Sequence, residues 1–324
     1  MKIASLFCGC GGLDLGLNQA GHEIIHASDF DKDSVDTYNS FFSHKADLID
    51  VNNLKGRDLP KFDLLAGGFP CQGFSVANTY RHKDDERNKL YLQIIRLLKE
   101  TKPNFFLLEN VAGILSLEKG EVVKQIVKEL SNVNKSTFDG YEVKYLKLNA
   151  ADYGVPQNRI RVIILGISRF FSEKTRNKMF SFFPPEPTHV PEGDLINNRY
   201  LTLRDAIGDL GEPSEDYHIP NHVCNKHKVK INGYIGNRQL DWDKPSPTIV
   251  GRGGGTGGPV IAVHPSLKRR FSVRETARIQ SFPDNMIFSG SISSQFRQIG
   301  NAVAIGFAKH LGMMLKNIEK INDS

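Results

Sequence analysis

The sequence of 324 residues contains no long apolar run and no apparent internal repeat. No apolar stretch approaches the roughly 18 residues that a membrane-spanning helix needs. The apolar part of the N-terminus, from Ile3 to Phe7, is too short for a signal peptide. We therefore expect a cytoplasmic protein without a membrane partner. Its length allows a large buried core and favours two domains over one.

Cysteine is also scarce, with four residues at Cys8, Cys10, Cys71 and Cys224. So few cysteines in a chain of this length do not indicate the disulfide framework of a small secreted domain. A single residue separates Cys8 from Cys10, and no second pair of cysteines or histidines lies at zinc-ligand spacing. We therefore expect no metal site, which leaves the cysteines available for other chemistry.

Acidic residues are nearly missing from one segment, residues 221–274, which we call the basic segment. It contains only Asp241 and Asp243 as acids. Its ten basic residues are Lys226, Lys228, Lys230, Arg238, Lys244, Arg252, Lys268, Arg269, Arg270 and Arg274. The segment thus carries +8, which leaves −2 for the rest of a chain whose total is +6. A solvated basic surface is the simpler interpretation, but so one-sided a charge favours a polyanion partner.

The first 170 residues alternate short β-rich runs with helical patterns, which predicts βαβ units and an α/β fold with a doubly wound, mostly parallel sheet. Strands are predicted at Lys2–Phe7, Glu23–Ser28, Asp63–Ala66, Phe105–Leu108, Glu142–Leu148 and Arg161–Ile167. Helices are predicted at Leu13–Ala20, Lys32–Phe42, Lys89–Glu100, Glu121–Leu130 and, at the C-terminus, from about Ala302 to Ile318.

The composition changes near Phe182, where a proline-rich run from Phe183 to Pro187 ends the regular pattern. We predict a catalytic and cofactor-binding domain at 1–182 and a second, smaller and irregular domain at 183–283. Residues 284–324 would form a C-terminal segment that returns to the first domain. Six glycines among residues 251–258 indicate either a flexible linker or a backbone that something approaches closely.

The most informative stretch is 67–75, where two glycines, Phe69 and Pro70 precede Cys71. An apolar run leads into it, so Cys71 is predicted to follow a strand. Open α/β sheets place their chemistry at the carboxyl ends of strands, and the thiolate is the nucleophilic form of cysteine. Cys71 is therefore a candidate nucleophile, although a structural cysteine would also fit this stretch alone.

A glycine-rich turn, residues 7–12, joins the first predicted strand to the first helix. Such a turn lets a cofactor lie against a helix N-terminus, but its spacing differs from the dinucleotide fingerprint. Asp29 and Phe30 follow the second strand, and Asp50 follows another short apolar stretch. Each acid alone is more often a cap or a surface residue. As a series at successive strand ends, they predict an adenosine-type cofactor.

Glu109 ends a strongly apolar run, where a carboxylate is partly desolvated and suited to hold or donate a proton. Arg159 and Arg161 point the same way if the chain is extended, so they can grip a carbonyl oxygen or a phosphate. A helix cap and surface ion pairs are the simpler interpretations. With Cys71 and an adenosine-type cofactor, these residues fit thiolate addition to C6 of a pyrimidine, hydrogen bonding at N3 and O2, and methylation of C5.

The ordered motifs of the chain resemble those of the bacterial DNA (cytosine-5) methyltransferases of restriction–modification systems. The matching motifs are Phe7-x-Gly9-x-Gly11-Gly12, Pro70-Cys71-Gln72, Asp85-x-Arg87-x-x-Leu90, Glu109-Asn110-Val111, Gln157-x-Arg159-x-Arg161, Arg274-Glu275-x-Ala277-Arg278-Ile279-Gln280 and Gly300-Asn301-Ala302-Val303. The resemblance runs from Ile3 to the C-terminal helix, except for residues 183 to about 268. That exception matches the position of the family's target-recognition region.

The resemblance implies S-adenosylmethionine as cofactor, double-stranded DNA as partner, a monomeric enzyme, and a flipped cytosine bonded to Cys71 through C6. Glu109 would contact N3 and Arg161 would contact O2, while Arg159 would shape the catalytic loop or contact phosphate. The implied cofactor site consists of Phe7, Gly9, Gly11, Asp29, Phe30, Asp50, Leu90, Asn301 and Val303. The DNA-binding candidates are Gln72, Ser75, Arg87, Arg238, Arg252, Gly254, Gly255 and Thr256.

The chain departs from the family pattern at Asp29, where many members have glutamate, and at Phe69 and Ala304, where proline is common. Two alternatives stay open: a tRNA cytosine-5 methyltransferase of the same fold, and a DNA-binding relative that has lost catalysis. The sizeable variable region favours DNA over tRNA. Intact Cys71, Glu109 and Arg161 argue against a silent relative.

Overall fold

The structure is a computed structural model that describes residues 1–69, 90–133, 140–213, 219–224, 229, 238–251, 263–266 and 269–322. The strands are β1 (Lys2–Leu6), β2 (Glu23–Asp29), β3 (Asp47–Leu48), β4 (Leu64–Gly68), β5 (Phe105–Val111), β6 (Tyr141–Asn149), β7 (Gln157–Asn158), β8 (Ile160–Ser168), β9 (His189–Val190), β10 (Asn198–Arg199) and β11 (Ser246–Pro247). The α-helices are α1 (Gly12–Gln19), α2 (Lys32–Phe41), α3 (Leu90–Thr101), α4 (Glu121–Ser131), α5 (Glu173–Phe180), α6 (Leu203–Ile207), α7 (Val273–Ile279), α8 (Ile292–Asn301) and α9 (Ile305–Asn322).

Seven strands form one sheet in the order β3-β2-β1-β4-β5-β8-β6. The first five of these are mutually parallel, and β8 runs antiparallel to both of its neighbours. All six predicted strands are confirmed within three residues at either end. The predicted α/β class with a mostly parallel sheet is therefore confirmed.

The strands read as continuous apolar runs because both faces of the sheet are covered. Leu64 and Ala66 of β4 join the core formed with α1, α2, α5 and α9, whereas Leu65 joins the core formed with α3 and α4. The same alternation recurs along β5 and β8. In the part of the chain that the structure describes, no helix is long and apolar enough to cross a membrane.

Four α-helices, α5 to α8, were not predicted as helices from the sequence, and α5 and α8 are the longest of them. Helix α5 buries only Met179 and Phe180, so it has no apolar stripe to signal it. Helix α8 buries polar side chains as well as apolar ones, with Gln295 and Gln298 among them. The predicted C-terminal helix exists, but it begins at Ile305, because residue 302 is extended and ends α8.

Beyond residue 183, the described residues form only short elements until α8. Helices α6 and α7 each begin with a capping box. Leu203 and Ile207 of α6 and Ile279 of α7 pack with Ile249 and Phe271 in a small core. Helix α9 packs against α1, where a side chain at Gly16 would collide with Ala308. The boundaries at 182 and 283 remain a prediction.

A buried carboxyl group lies beneath the glycine-rich turn. Asp14, in the first turn of α1, is fully buried and accepts hydrogen bonds from Ser5 Oγ at 2.6 Å and from the Tyr38 hydroxyl at 3.0 Å. Burial raises the pKa of Asp14 to about 6, although both hydrogen bonds favour the carboxylate. The folded protein therefore binds this proton more tightly than the unfolded chain does.

We expect Asp14 to make the protein more stable as the pH falls from 7.5 to 4.5. The pKa is raised on folding, so the unfavourable contribution is present above about pH 6 and is lost as the proton binds. A change of about 2 kcal/mol is expected over this range. Urea unfolding of wild type and Asp14→Asn at both pH values measures it, with exposed Asp58→Asn as control. A stability difference between wild type and Asp14→Asn that does not vary with pH would contradict the assignment.

Candidate active site

Four candidate residues and Gly68 lie along one edge of the sheet because each stands at or close to the carboxyl end of a parallel strand. Asp50 follows β3, Asp29 ends β2, Phe7 follows β1, Gly68 ends β4 and Glu109 lies near the end of β5. The strand order reverses between β1 and β4, where open α/β sheets form their binding crevice. At roughly 4.8 Å per strand spacing, Phe7 and Glu109 are separated by about 10 Å along this edge.

A cavity of about 140 Å³ opens beside this reversal. Its lining residues are Phe7, Ser28, Asp29, Phe30, Ile49, Asp50, Val51 and Leu90. Five of the nine predicted cofactor residues are therefore brought together. The lining combines aromatic faces with carboxylates, which suits an adenine ring and ribose hydroxyls. Ile49 and Val51 were not predicted, although both flank Asp50 in the sequence.

Asp29 fastens the glycine-rich turn to β2. One carboxylate oxygen accepts the N–H of Gly9 at 2.8 Å, and the other accepts the N–H of Asp31 at 2.9 Å. Gly9 has a φ of 55°, in the left-handed region that favours glycine. Burial raises the pKa of Asp29, and the two backbone N–H groups oppose this effect. Each oxygen retains acceptor capacity for a ligand hydroxyl.

The segment that carries Asn301 and Val303 returns to the glycine-rich turn. Any side chain at Gly12 would collide with the carbonyl oxygen of Val303, so the two backbones approach as closely as glycine allows. The Cys10 thiol donates to the carbonyl oxygen of Gln298 at 3.6 Å. The glycine-rich turn and the segment with Asn301 and Val303 therefore lie in contact, although about 290 residues separate them in the sequence.

Glu109 and Arg161 form an ion pair at the same edge, with Glu109 Oε1 2.7 Å from Arg161 Nε. The Nε–H is not aimed at that oxygen, so the contact is electrostatic rather than a well-aligned hydrogen bond. Arg161 reaches this edge because β8 is antiparallel, which places its first residues beside the last residue of β5, Val111. Burial lowers the pKa of Arg161, and the Glu109 carboxylate opposes this effect. Among the described residues, Arg161 Nη2 makes no hydrogen bond, so it can donate to a substrate oxygen.

Neighbouring polar groups hold the backbone around this pair. The Asn110 side chain donates to the carbonyl oxygen of Phe69 at 3.1 Å, so β5 fixes the chain as it leaves β4. A Cβ at Gly68 would lie 2.9 Å from Glu109 Oε2, so the glycine leaves room for the carboxylate. The role of Asn110 was not predicted, because its contact is visible only once the strands are paired.

Arg159 lies apart from the Glu109–Arg161 pair, in a fully buried position. Its guanidinium donates to the carbonyl oxygens of Ile249, Gly300 and Ala302, each at 2.8 Å. Burial lowers the pKa of Arg159 well below its usual range. From the sequence, Arg159 was expected either to shape the catalytic loop or to contact phosphate. Its three carbonyl contacts favour the shaping role.

The described cysteines are poor nucleophiles. Burial raises the pKa of Cys8 and Cys10, and it raises the pKa of Cys224 to about 11. Each is therefore a neutral thiol at physiological pH. Cys71 lies outside the described residues, as do Gln72, Ser75, Arg87, Arg252, Gly254, Gly255 and Thr256.

Part of the basic segment is structural, which corrects the expectation that all of it faces a polyanion. Arg274 is fully buried and donates to three backbone carbonyls. Arg269 pairs with Glu275 at 2.8 Å and with Glu212 at 3.2 Å. The net charge of a segment does not distinguish such internal partners from free surface charge. Arg238, the one DNA-binding candidate that is described, is exposed.

Comparison with known proteins shows the family to which the chain belongs. The family model for C-5 cytosine-specific DNA methylases matches residues 1–317. The chain therefore belongs to this family and is a DNA cytosine-5 methyltransferase that uses S-adenosylmethionine. The resemblance drawn from the sequence motifs is confirmed.

Individual relatives match over nearly their full length. The Type II methyltransferase M.FnuDI of Fusobacterium nucleatum is 36% identical, over 98% of this chain and 94% of its own. M.MthTI, a Type II methyltransferase of Methanothermobacter thermautotrophicus, is 36% identical over 98% of this chain and 97% of its own. A solved structure from an Escherichia coli prophage, titled as a candidate DNA modification methyltransferase, has a TM-score of 0.73 at 25% identity and covers 99% of each chain.

Proposed function

We propose that the chain methylates C5 of a flipped cytosine through a covalent bond between Cys71 and C6, as the modification enzyme of a Type II restriction system. The observation that carries this proposal is the Glu109–Arg161 pair, which lies one strand from the end of β4 and about 10 Å from the cofactor cavity. Cys71 follows β4 by three residues in the sequence. The Type II relatives support the modification role.

The chemistry requires groups at both ends of the pyrimidine. Addition of the Cys71 thiolate to C6 pushes electrons toward N3 and O2, and that charge is costly in a dry pocket. Glu109 holds a proton at N3, and Arg161 donates to O2, which makes C5 nucleophilic. S-adenosylmethionine supplies an electrophilic methyl group when it is bound. Loss of the C5 proton and of the Cys71 thiolate then restores the aromatic ring.

The cytosine inside a duplex is out of reach of such a pocket, so it has to leave the base stack. The basic segment would supply phosphate affinity, and its glycine-rich run, 251–258, would approach the groove closely. Because one chain carries both the ion pair and the cofactor cavity, we propose that it acts as a monomer. We also propose a cytoplasmic location, which its Type II relatives support. Light scattering after gel filtration tests the oligomeric state.

Bisulfite sequencing of DNA from cells that express the protein tests this function. Protected cytosines in one recurring sequence are expected, and Cys71→Ser should give none. The same data report the recognised sequence and the methylated position. Unprotected DNA from cells that contain soluble, folded protein would contradict the proposal.

Replacing Asp29 with alanine is expected to weaken cofactor binding by roughly 1–3 kcal/mol, the scale of a lost charged hydrogen bond. The change removes an acceptor for the ribose and also releases Gly9, which Asp29 holds. Asp29→Asn keeps one acceptor and should lie between alanine and wild type. Calorimetry with S-adenosylhomocysteine measures the affinities, with Asp36→Ala on the exposed face of α2 as control. Unchanged affinity in Asp29→Ala would argue against the site.

Binding to DNA is expected to weaken steeply as salt rises, because basic side chains displace counterions from phosphates. Arg238→Ala should reduce the slope of log affinity against log salt by roughly 1 if it contacts one phosphate. Neutralising Lys226, Lys228 and Lys230 together should reduce it further. Fluorescence anisotropy over a salt series measures both effects, with exposed Arg57→Ala as control. Equal slopes in wild type and all three variants would show that the basic segment is not part of the DNA interface.

A further inference from the structure

A buried carboxylate beneath the glycine-rich turn takes no part in the proposed steps of methyl transfer. Asp14 is the third residue of α1, the helix into which the turn leads. Its side chain is fully buried, and in the ranges that the structure describes no basic side chain forms an ion pair with it. The hydroxyl groups of Ser5 and Tyr38 donate hydrogen bonds to it. Because hydroxyl dipoles offset only part of the cost of burying a charge, ionised Asp14 is an uncompensated negative charge inside the fold.

Helix capping does not account for Asp14. An acid at the third position of a helix commonly accepts the N–H of the N-cap residue. Here the N-cap is Gly11, and its N–H donates instead to the carbonyl oxygen of Cys8 at 2.9 Å. The Asp14 oxygens accept from Ser5 on β1, at 2.6 Å, and from Tyr38 on α2, at 3.0 Å. The carboxylate is therefore held between β1 and α2 rather than at the helix terminus.

The charge of Asp14 opposes the field that a helix N-terminus normally provides. Such a terminus carries roughly half a positive charge, and together with a glycine-rich turn it ordinarily favours an anion such as a dinucleotide phosphate. Because its pKa is about 6, Asp14 adds nearly a full negative charge to the first turn of α1 at pH 7.5. The sum of the two is negative, so this turn favours a bound cation over an anion.

Other charges around the turn do not cancel this effect. Asp29 on β2 supplies a second carboxylate at the turn. Asp31 is paired with Arg297 at 3.1 Å, so the two together are close to neutral. Burial raises the pKa of the Cys8 thiol, and the carboxylates of Asp14 and Asp29 raise it further. The turn is thus within the field of Asp14.

S-adenosylmethionine and its product differ in charge at a single atom. The sulfonium of the methyl donor becomes an uncharged thioether once the methyl group has left, while the amino acid and adenosine groups are unchanged. We propose that Asp14 is a specificity-determining residue, whose negative charge favours the cationic methyl donor over its neutral product at the cofactor site. This inference rests on the proposed binding of the cofactor along the glycine-rich turn. The buried charge that destabilises the ligand-free protein thereby contributes to binding of the donor.

Calorimetry without DNA tests this, because the methyl donor and the product can then be titrated separately with no turnover. At an effective dielectric constant of about 20, opposite charges on the order of 10 Å apart attract strongly enough to change an affinity roughly tenfold. In Asp14→Asn at pH 8, the affinity for S-adenosylmethionine should fall by roughly that factor, and the affinity for S-adenosylhomocysteine by less than about twofold. Asparagine keeps the volume, and its amide can accept from Ser5 and donate to the Tyr38 hydroxyl.

Tyr38→Phe is the matched control, since it removes one hydrogen bond from the same carboxylate and keeps the charge. At pH 8 it should change both affinities by the same factor. The ratio of donor affinity to product affinity should therefore match wild type in Tyr38→Phe and fall about tenfold in Asp14→Asn.

The pH dependence of this ratio provides a second test. As the pH falls from 8 to 5, the ratio in wild type should fall as Asp14, whose pKa is about 6, takes up its proton. Tyr38→Phe should lose the preference at a higher pH, because the missing hydrogen bond favours the carboxylate. That shift separates Asp14 from Asp29, whose pKa burial also raises. The thiols of Cys8 and Cys10 stay neutral throughout, because burial raises their pKa values.

Equal losses of both affinities in Asp14→Asn would overturn the inference, since a general distortion of the turn acts on both ligands. If Asp14→Asn does not fold, wild type and Tyr38→Phe decide between pH 5 and 8, and a ratio that does not vary with pH in wild type would overturn it. Absence of binding by either ligand contradicts the proposed cofactor site as well. An unchanged ratio in Asp14→Asn with intact methylation in the bisulfite experiment contradicts the role of Asp14 alone.

Discussion

Methyl transfer is expected to disappear when Cys71 is replaced by serine, while DNA and cofactor binding persist. An unperturbed thiol has a pKa of about 8.5, so a small thiolate fraction exists at neutral pH, whereas a serine hydroxyl provides essentially none. Loss of an enzyme nucleophile typically lowers kcat by about 10⁴- to 10⁶-fold. Binding should survive because the hydroxyl is smaller than the thiol and leaves the fold of β4 unchanged.

A duplex that carries 5-fluorocytosine at the target position makes the covalent step visible. Fluorine cannot leave as the C5 proton does, so the bond between Cys71 and C6 should persist on a denaturing gel. Wild type with S-adenosylmethionine should give the adduct, and Cys71→Ser should not. Cys224→Ser is the control, because burial holds the Cys224 thiol neutral. An adduct that persists in Cys71→Ser would identify a different nucleophile.

The sheet could be predicted from the sequence because its strands are apolar on both faces. Runs such as Phe105–Leu108 carry a strong signal when helices cover each side of the sheet. Helices α5 and α8 could not be predicted in the same way. Their buried faces include few apolar residues, and Gln298 is buried by hydrogen bonds that only the folded chain supplies.

The cofactor edge was also predictable, because Asp29 and Asp50 stand where apolar runs end and strand ends meet at one edge. The buried hydrogen bonds of Gln157 and Arg159 could not be predicted. Gln157 and Arg159 contact residues about 90 to 140 positions away, and no local pattern encodes such partners. For a related reason, the number of basic residues did not predict how much of the basic segment is free surface charge. Arg274 counts as one positive charge, although it is buried and donates to three backbone carbonyl oxygens.

Replacing Arg161 with alanine is expected to lower kcat by about 10²- to 10³-fold, the usual effect of removing a group that stabilises developing charge. Charge reaches O2 only after Cys71 attacks, so kcat should fall more than KM rises. Arg161→Lys keeps the charge without the planar donor fork and should be intermediate. Glu109→Gln should retain some activity, because an amide can still donate one hydrogen bond to N3.

The chain provides a matched control for this experiment in a second arginine–glutamate pair, which joins α5 to β6 of the same sheet. Arg176 Nε lies 2.7 Å from Glu142 Oε2, the same separation as in the Glu109–Arg161 pair. Along β6, Glu142 is six residues from the residue that pairs with Arg161, a distance of about 20 Å. Arg176→Ala should therefore leave kcat unchanged in steady-state methylation assays at saturating cofactor. Equal losses in Arg176→Ala and Arg161→Ala would show that general destabilisation, rather than the O2 contact, explains the effect.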